Sequence, residues 1–299
     1  MFRLGGSLGT YPTKQSHRVR SAHRISTTLF LSFLLVGLSG TEFLFGQSAT
    51  RSTVEGIHDA NGFPFVVPAS SPLEPVHRIA VAIVDRDTVQ RTISLAEFGD
   101  RLGFWIVRAP HAKFELAGAL QGGVSSRFDL GQPRLDLLEI HYRAGFLLRA
   151  RIGAVAARVE LYHVSSHLGD ELMARHDLDP ISTSREGLEI LFQVSPSPEI
   201  RFYGGPGFLF KSSSDFSTPS LRAGGDWQSA GNSLIPGYAT VDVFSWSELN
   251  WRPQVAAEVG VTLGKHARIG LMLGLGPSRA EQFFRDNETI FGLSASYVR

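Results

Sequence analysis

The 299-residue sequence contains no cysteine. That absence removes disulfides, thiolate metal sites and cysteine nucleophiles together, and with them a lipoprotein anchor, which needs a cysteine to carry its lipid. A chain that crosses an oxidising periplasm loses nothing by lacking thiols. Charge is also scarce: Asp, Glu, Lys and Arg make up 19% of the residues, where about a quarter is usual in a soluble globular protein. The 29 basic and 28 acidic side chains nearly cancel, and no long run of one sign occurs. Nucleic acid and acidic macromolecules are thereby excluded as the main partners. Beyond residue 49 there is no apolar run long enough to span a membrane as a helix. A G-x-S-x-G elbow, an H-E-x-x-H helix and a phosphate-cradling loop are missing too. Gly204-Gly205-Pro206-Gly207 lies inside a strand pattern and lacks the lysine of a P-loop.

What the chain does have is glycine, 31 residues, and phenylalanine, whose 21 residues outnumber the 6 Tyr and 4 Trp together. Glycine on this scale suits tight turns and crowded strands better than long helices. Near the start, Arg18, Arg20, His23 and Arg24 precede an apolar run from Leu29 to Leu38, followed by the small residues Ser39, Gly40, Gly46, Ser48 and Ala49. These are the parts of a secretory signal peptide over residues 1–49, with cleavage between about Gly40 and Ala49. A membrane anchor or buried helix is the alternative. The apolar run is shorter than the ~18 to 20 residues a spanning helix needs, and Glu42 interrupts its extension.

The remaining sequence alternates. Val255, Ala257, Val259, Val261 and Leu263 fall on one face opposite Gln254, Glu258, Gly260 and Thr262. Ile269, Leu271, Leu273 and Leu275 do the same, as do Phe291, Leu293, Ala295 and Tyr297. Period two over about ten residues marks a strand with one wet and one apolar face, long enough when tilted to cross a bilayer. The pattern predicts strands near 76–84, 102–109, 113–123, 135–148, 151–165, 186–195, 199–210, 221–227, 238–247, 252–263, 266–275 and 288–298. The eighth is weak, but parity requires it: without it the tight Gly264–Lys265 turn falls on the side of the long loops. Those long connections are 85–101, 124–134, 166–185, 211–220 and 276–287. Glu139, Arg143, Arg158, Glu160, Asp242 and Glu258 lie on polar faces, where opposite charges would fill a narrow lumen. Trp105, Trp227, Trp246, Trp251, Tyr203, Tyr238 and Tyr297 stand near strand ends, as interfacial girdles require, although core packing would use them as well.

The expected fold is therefore all-β, an antiparallel transmembrane β-barrel of about twelve strands over 76–299, preceded by a short periplasmic segment over 50–75. The competing fold is a soluble secreted β-barrel or sandwich that binds a ligand. The expected location is the bacterial outer membrane. The expected partners are outer-membrane lipid and the barrel assembly machinery, with a homodimer allowed. Many such barrels end on an aromatic residue; here Tyr297 is followed by Val298 and Arg299, which displaces that signal.

Reactive residue types are densest from Tyr162 to Glu171. His163 and Ser165 continue the apolar face of Gly153, Val155, Ala157, Val159 and Leu161. Two residues apart on a strand, they sit side by side, and the imidazole can take the hydroxyl proton. Glu186 begins the apolar face of the next strand and can orient His163, completing a Ser-His-acid relay. The alternative reading of the pair is tolerance of polar residues at a membrane–water interface. No cofactor is called for. Asp170 and Glu171 would suit Ca²⁺, and His167 a transition metal.

The Y-H-x-S-S-H-L-G-D-E stretch, with Pro72-Leu73-Glu74-Pro75 and Tyr203-Gly204-Gly205, resembles a family of uncharacterised bacterial outer-membrane proteins, domain of unknown function 1207. The resemblance covers about residues 65–299 and implies a β-barrel without implying an activity. Locally, His163-Val164-Ser165-Ser166 is similar to the His-x-Ser-Asn strand motif of outer-membrane phospholipase A and the lipid A deacylase. That likeness implies acyl-ester cleavage on the lipid face, with Ser165 as nucleophile and His163 as general base. Ser166 departs from the motif's asparagine, which puts the oxyanion arrangement in question. The activity expected is thus either none beyond a structural or narrow-pore role, or lipid acyl-ester hydrolysis.

Overall fold

The computed structural model describes residues 53–297 except 56–57, 60–64, 66–70, 72, 75, 87–88, 110, 112, 177–181, 214–218, 231–235 and 265. The leader expected over 1–49 lies outside the described residues. Two short strands, β1 (Thr53–Glu55) and β2 (His58–Asp59), precede twelve long ones. These are β3 (His77–Arg86), β4 (Val89–Ala109), β5 (Phe114–Asp129), β6 (Asp136–Ile152), β7 (Val155–Leu168) and β8 (Ser182–Ser197), then β9 (Ile200–Ser212), β10 (Ser220–Gln228), β11 (Gly237–Trp246), β12 (Gln254–Leu263), β13 (Ala267–Pro277) and β14 (Asn287–Tyr297). An α-helix, α1 (Asp170–His176), sits between β7 and β8. No helix among the described residues is long and apolar enough to cross a membrane.

Each long strand pairs antiparallel with its neighbours in sequence, and β14 returns to β3 with Glu288 opposite Arg86 and Tyr297 opposite His77. The sheet is a closed twelve-stranded barrel. Closure is what period two asks for here, because the outward side chains of the belt are apolar and every backbone group then finds a partner without water. On β3, Ile79, Val81 and Ile83 point out and are about half exposed, while Arg78, Ala80, Ala82 and Val84 are buried inside. On β13 and β14, Ile269, Leu271, Leu273, Phe291 and Leu293 form the outer wall. The interior instead holds Arg127, Glu139, Arg143, Arg158, Glu160, Glu189, Arg222, Asp242, Glu258 and Glu288. A contiguous apolar exterior on this scale is far larger than a water-soluble monomer exposes, so the polarity is that of a barrel solvated by hydrocarbon.

All twelve expected strands are present, including the weak eighth, β10, which pairs on both sides. One expected feature is overturned. Residues 85–101 were expected as a long external loop, but β3 and β4 are separated only by residues 87–88, and β4 runs 21 residues. Charge hid the strand: Arg91, Glu97 and Arg101 face the lumen, where they bind Asp129, Arg78 and Glu74. β3 pairs with β4 only up to Glu97; below that, β1 and β2 take over the same edge, opposite Ile106–Arg108 and Leu102–Gly103. The tight turns at Gly153 and Gly264 use positive φ angles of 60° and 65°, which glycine adopts without steric cost.

The aromatic girdle is only partly as expected. Trp227, Trp251 and Tyr297 are exposed on the outside, but Tyr203 and Tyr238 are buried and donate hydrogen bonds to Asp242 and Glu258. A phenol beside a lumen carboxylate satisfies both groups, which a lipid-facing position cannot do. The cysteine-free background gives a direct check on polarity. A spin label at Leu271→Cys should be accessible to oxygen dissolved in the bilayer and shielded from a water-soluble nickel reagent. A label at Met272→Cys, which is buried, should be immobilised; equal accessibility at the two positions would contradict the assigned faces.

Candidate functional site

Strand β7 divides the reactive segment between two environments. Val155, Ala157, Val159, Leu161, His163, Ser165 and His167 take the outer face, while Arg158, Glu160, Tyr162, Val164 and Ser166 take the inner one. Pairing registers carry the outer row across four strands: Ala144 opposite His163, His163 opposite Glu186, and Glu186 opposite Lys211. One row toward the membrane centre stand Leu161, Leu188 and Phe208; one row toward the loops, Ser165 faces Ser184. The polar row therefore lies at the loop-side border of the apolar belt.

Within it, His163 Nδ1 is 3.7 Å from Glu186 Oε1, and Lys211 Nζ donates to the same oxygen at 3.2 Å. His163 is half exposed and Glu186 mostly covered. A bulge between β8 and β9 at this height sends both Phe210 and Lys211 outward, the local twist by which sheets re-aim a side chain. Among the described residues no hydrogen bond joins Ser165 to His163. Ser166 points into the barrel, where it pairs with Thr183 Oγ1 at 2.7 Å and accepts from Gln282 Nε2 at 2.9 Å. It cannot serve an oxyanion on the face that carries Ser165.

The residues proposed for metal binding do not converge. His167 stacks edge-on with Tyr142 on the outer wall, while Asp170 and Glu171 occupy the exposed first turn of α1, where carboxylates complement the positive end of the helix. Among the described residues one group of three ligand-bearing side chains comes within 4.8 Å: Glu74, Glu160 and Glu189, deep in the lumen. It does not fit a cation. Arg158 binds Glu74 at 2.7 Å, Glu160 at 3.4 Å, and Glu189. Arg222 binds Glu74 at 3.0 Å and Asp242 at 2.9 Å, Arg101 binds Glu74 at 2.6 Å, and Arg143 binds Glu160 at 2.9 Å. The three carboxylates are already surrounded by four guanidinium groups.

Glu74 belongs to the segment ahead of β3, and so does the rest of this plug. Ser71 accepts from Arg222, the Phe65 carbonyl accepts from Arg149 at 3.1 Å, and the Phe65 ring lies under Arg158 at 5.4 Å. Phe65 packs with Ala156, Leu191 and Tyr203. The strand pattern carries no signal for this insertion; the one hint is a glutamate in Pro72-Leu73-Glu74-Pro75, a turn-like setting.

A family described as proteins of unknown function, DUF1207, matches residues 77–298. The chain belongs to the DUF1207 family. Among curated proteins, none matches it in sequence. Solved structures similar to this DUF1207 chain include outer membrane phospholipase A from Escherichia coli, with a TM-score of 0.51 and 12% identity over 79% of this chain and 93% of that one. The Salmonella typhi phospholipase, solved as a dimer with bound calcium, gives 0.50 and 12% over 78% and 93%. At that identity the likeness is one of fold: this DUF1207 barrel resembles outer-membrane barrels.

The plug yields a prediction for this DUF1207 barrel. Glu74→Ala would leave Arg158 and Arg222 short of a counter-charge inside the barrel. It should lower stability by about 3–5 kcal/mol, the cost of breaking a buried pair from one side. Glu115→Ala, which breaks the part-exposed Arg108–Glu115 contact, should cost no more than about 1 kcal/mol. Urea titration followed by heat-dependent gel migration would rank the two, and equal midpoints would remove the plug from the energetic centre of the fold.

Proposed function

We propose that this chain is exported to the bacterial outer membrane and acts there as a lipid acyl-ester hydrolase, with Ser165, His163 and Glu186 on the lipid-facing wall at the loop-side rim. The observation that carries the reading is the cross-strand row: Glu186 directly opposite His163 at 3.7 Å, with Ser165 two residues further along the same face. The row borders the apolar belt, where an ester at the base of a lipid headgroup would lie. The plugged lumen speaks for chemistry on the wall rather than conduction through the middle. The phospholipases of similar fold, by their names, act on phospholipid.

In this scheme Ser165 Oγ attacks the acyl carbonyl while His163 takes its proton. The Glu186 carboxylate stabilises the resulting imidazolium. Collapse of the tetrahedral intermediate expels the alcohol of the lysolipid, which takes the proton back from His163. Water, deprotonated by His163, then adds to the acyl-enzyme, and collapse of that second tetrahedral intermediate releases fatty acid and restores Ser165. The Ser165–His163 hydrogen bond must form on substrate binding, as catalytic contacts often do. Lys211 donates to the same Glu186 oxygen that faces His163 and fixes the position of the carboxylate.

The barrel assembly machinery is the partner needed for insertion, and a homodimer would cover the outer wall around the row. No metal is required. The test is fatty-acid release from phospholipid in mixed micelles by the purified barrel. Ser165→Ala and His163→Ala should each lower turnover by at least about 10³-fold, and Glu186→Ala by less. Undiminished release in both of the first two variants, or none from the wild-type barrel, would leave the row as an interfacial band only. Heat-modifiable migration and recovery in the outer-membrane fraction test the location separately.

A further inference from the structure

At the loop end of the lumen, beyond the plug, lies a chamber that the hydrolytic reading does not use. Leu73 of the N-terminal segment contributes to it, and the wall comes from the inner faces of β6, β7, β8, β11 and β12 and from the segments after β11 and β13. It is a small recess that opens to solvent. Phe244, Trp246 and Phe284 form an aromatic side. Four guanidinium groups, of Arg143, Arg185, Arg252 and Arg279, reach the lining against one carboxylate, Glu189.

That carboxylate is committed elsewhere: Glu189 binds Arg158 and Arg222. Arg143 has Glu160 as its partner at 2.9 Å, and Arg185 lies over the Trp246 ring at 5.4 Å. Arg252 and Arg279 have only neutral acceptors. Arg252 donates to Asn287 Oδ1 at 3.0 Å and to the Arg285 carbonyl at 3.3 Å, and Arg279 donates to the Val255 carbonyl at 3.3 Å. Neither makes an ion pair among the described residues. The carboxylate nearest Arg279 is Glu288, which accepts the Arg279 backbone N–H at 3.0 Å and is held by Arg86, Arg127 and Ser278. Burial first, and then the neighbouring Arg78, pull Arg279 down to about 10, the direction expected where positive charge lacks compensation.

We propose that this chamber binds a small soluble oxyanion, a phosphate or carboxylate group, through Arg252 and Arg279, with an aromatic or apolar body of the ligand against Phe244, Trp246 and Phe284. Guanidinium groups are suited to forked contacts with such anions. The chamber is walled by inward faces, so its ligand arrives from the aqueous loop side and not from the bilayer. Arg252 is exposed, Arg279 part-buried and Arg185 buried, a gradient of cations from rim to interior that draws an anion inward.

The test uses the full-length barrel in detergent, titrated calorimetrically with inorganic phosphate, phenyl phosphate and phenol. Phenyl phosphate should bind more tightly than inorganic phosphate, and phenol should not bind. Arg279→Gln should weaken phenyl phosphate by at least about tenfold, the loss of a charge-assisted contact. Arg252→Gln, at an exposed position where folding is not at stake, should do likewise. Wild-type affinity in both variants, or no binding of either phosphate at millimolar concentration, would overturn the proposal. Fatty-acid release by the Arg252→Gln barrel should be unchanged, so the two sites are judged independently.

Discussion

The structure depends on its seam. β14 closes against β3 along ten paired positions, from Glu288–Arg86 to Tyr297–His77, and no other arrangement would satisfy the backbone of those two strands in hydrocarbon. An open edge in lipid leaves a row of N–H and C=O groups without partners, each costing several kcal/mol. Once the ring is closed, the period-two pattern has only one orientation: apolar side chains outward, charges inward. The charges must then neutralise one another in a confined space, and the ion pairs that cross the lumen, such as Arg78–Glu258 and Arg127–Glu288, follow from closure.

Most of the fold was legible because the pleat alternates strictly where the outer wall meets lipid. Strands such as β13, with Ile269, Leu271, Leu273 and Leu275 outward, can be read directly from their residues. β4 could not be read over its first half, since Arg91, Glu97 and Arg101 resemble a solvated loop until their lumen partners are known. The same limit applies to the plug. Glu74 finds Arg101, Arg158 and Arg222 only when three distant strands have been brought around it.

At the candidate site, the placement of His163, Ser165 and Glu186 on outward faces was legible from alternation alone. The long β7–β8 connection, which contains α1, does not by itself fix which residues stand opposite. The part played by Lys211 was not legible. It reaches Glu186 by way of the bulge that turns Phe210 and Lys211 to the same side, and a bulge leaves no mark in an alternating sequence except one apparent error of phase. The cationic chamber was equally hidden, since Arg185, Arg252 and Arg279 are separated in sequence and share one lining only once the barrel has closed.

The way β1 and β2 complete the lower edge of β4 bears on the order of assembly. The chain is fixed beneath the barrel at Thr53–Asp59 and then enters the interior to place Phe65, Ser71 and Glu74 among strands as late as β10. The Glu74–Arg222 contact spans 148 positions, so its loop-closure entropy is met only when most of the wall exists. A filled interior and a shut ring are then aspects of one cooperative event, in which the amino-terminal thread is enclosed by the strands as they curl around it.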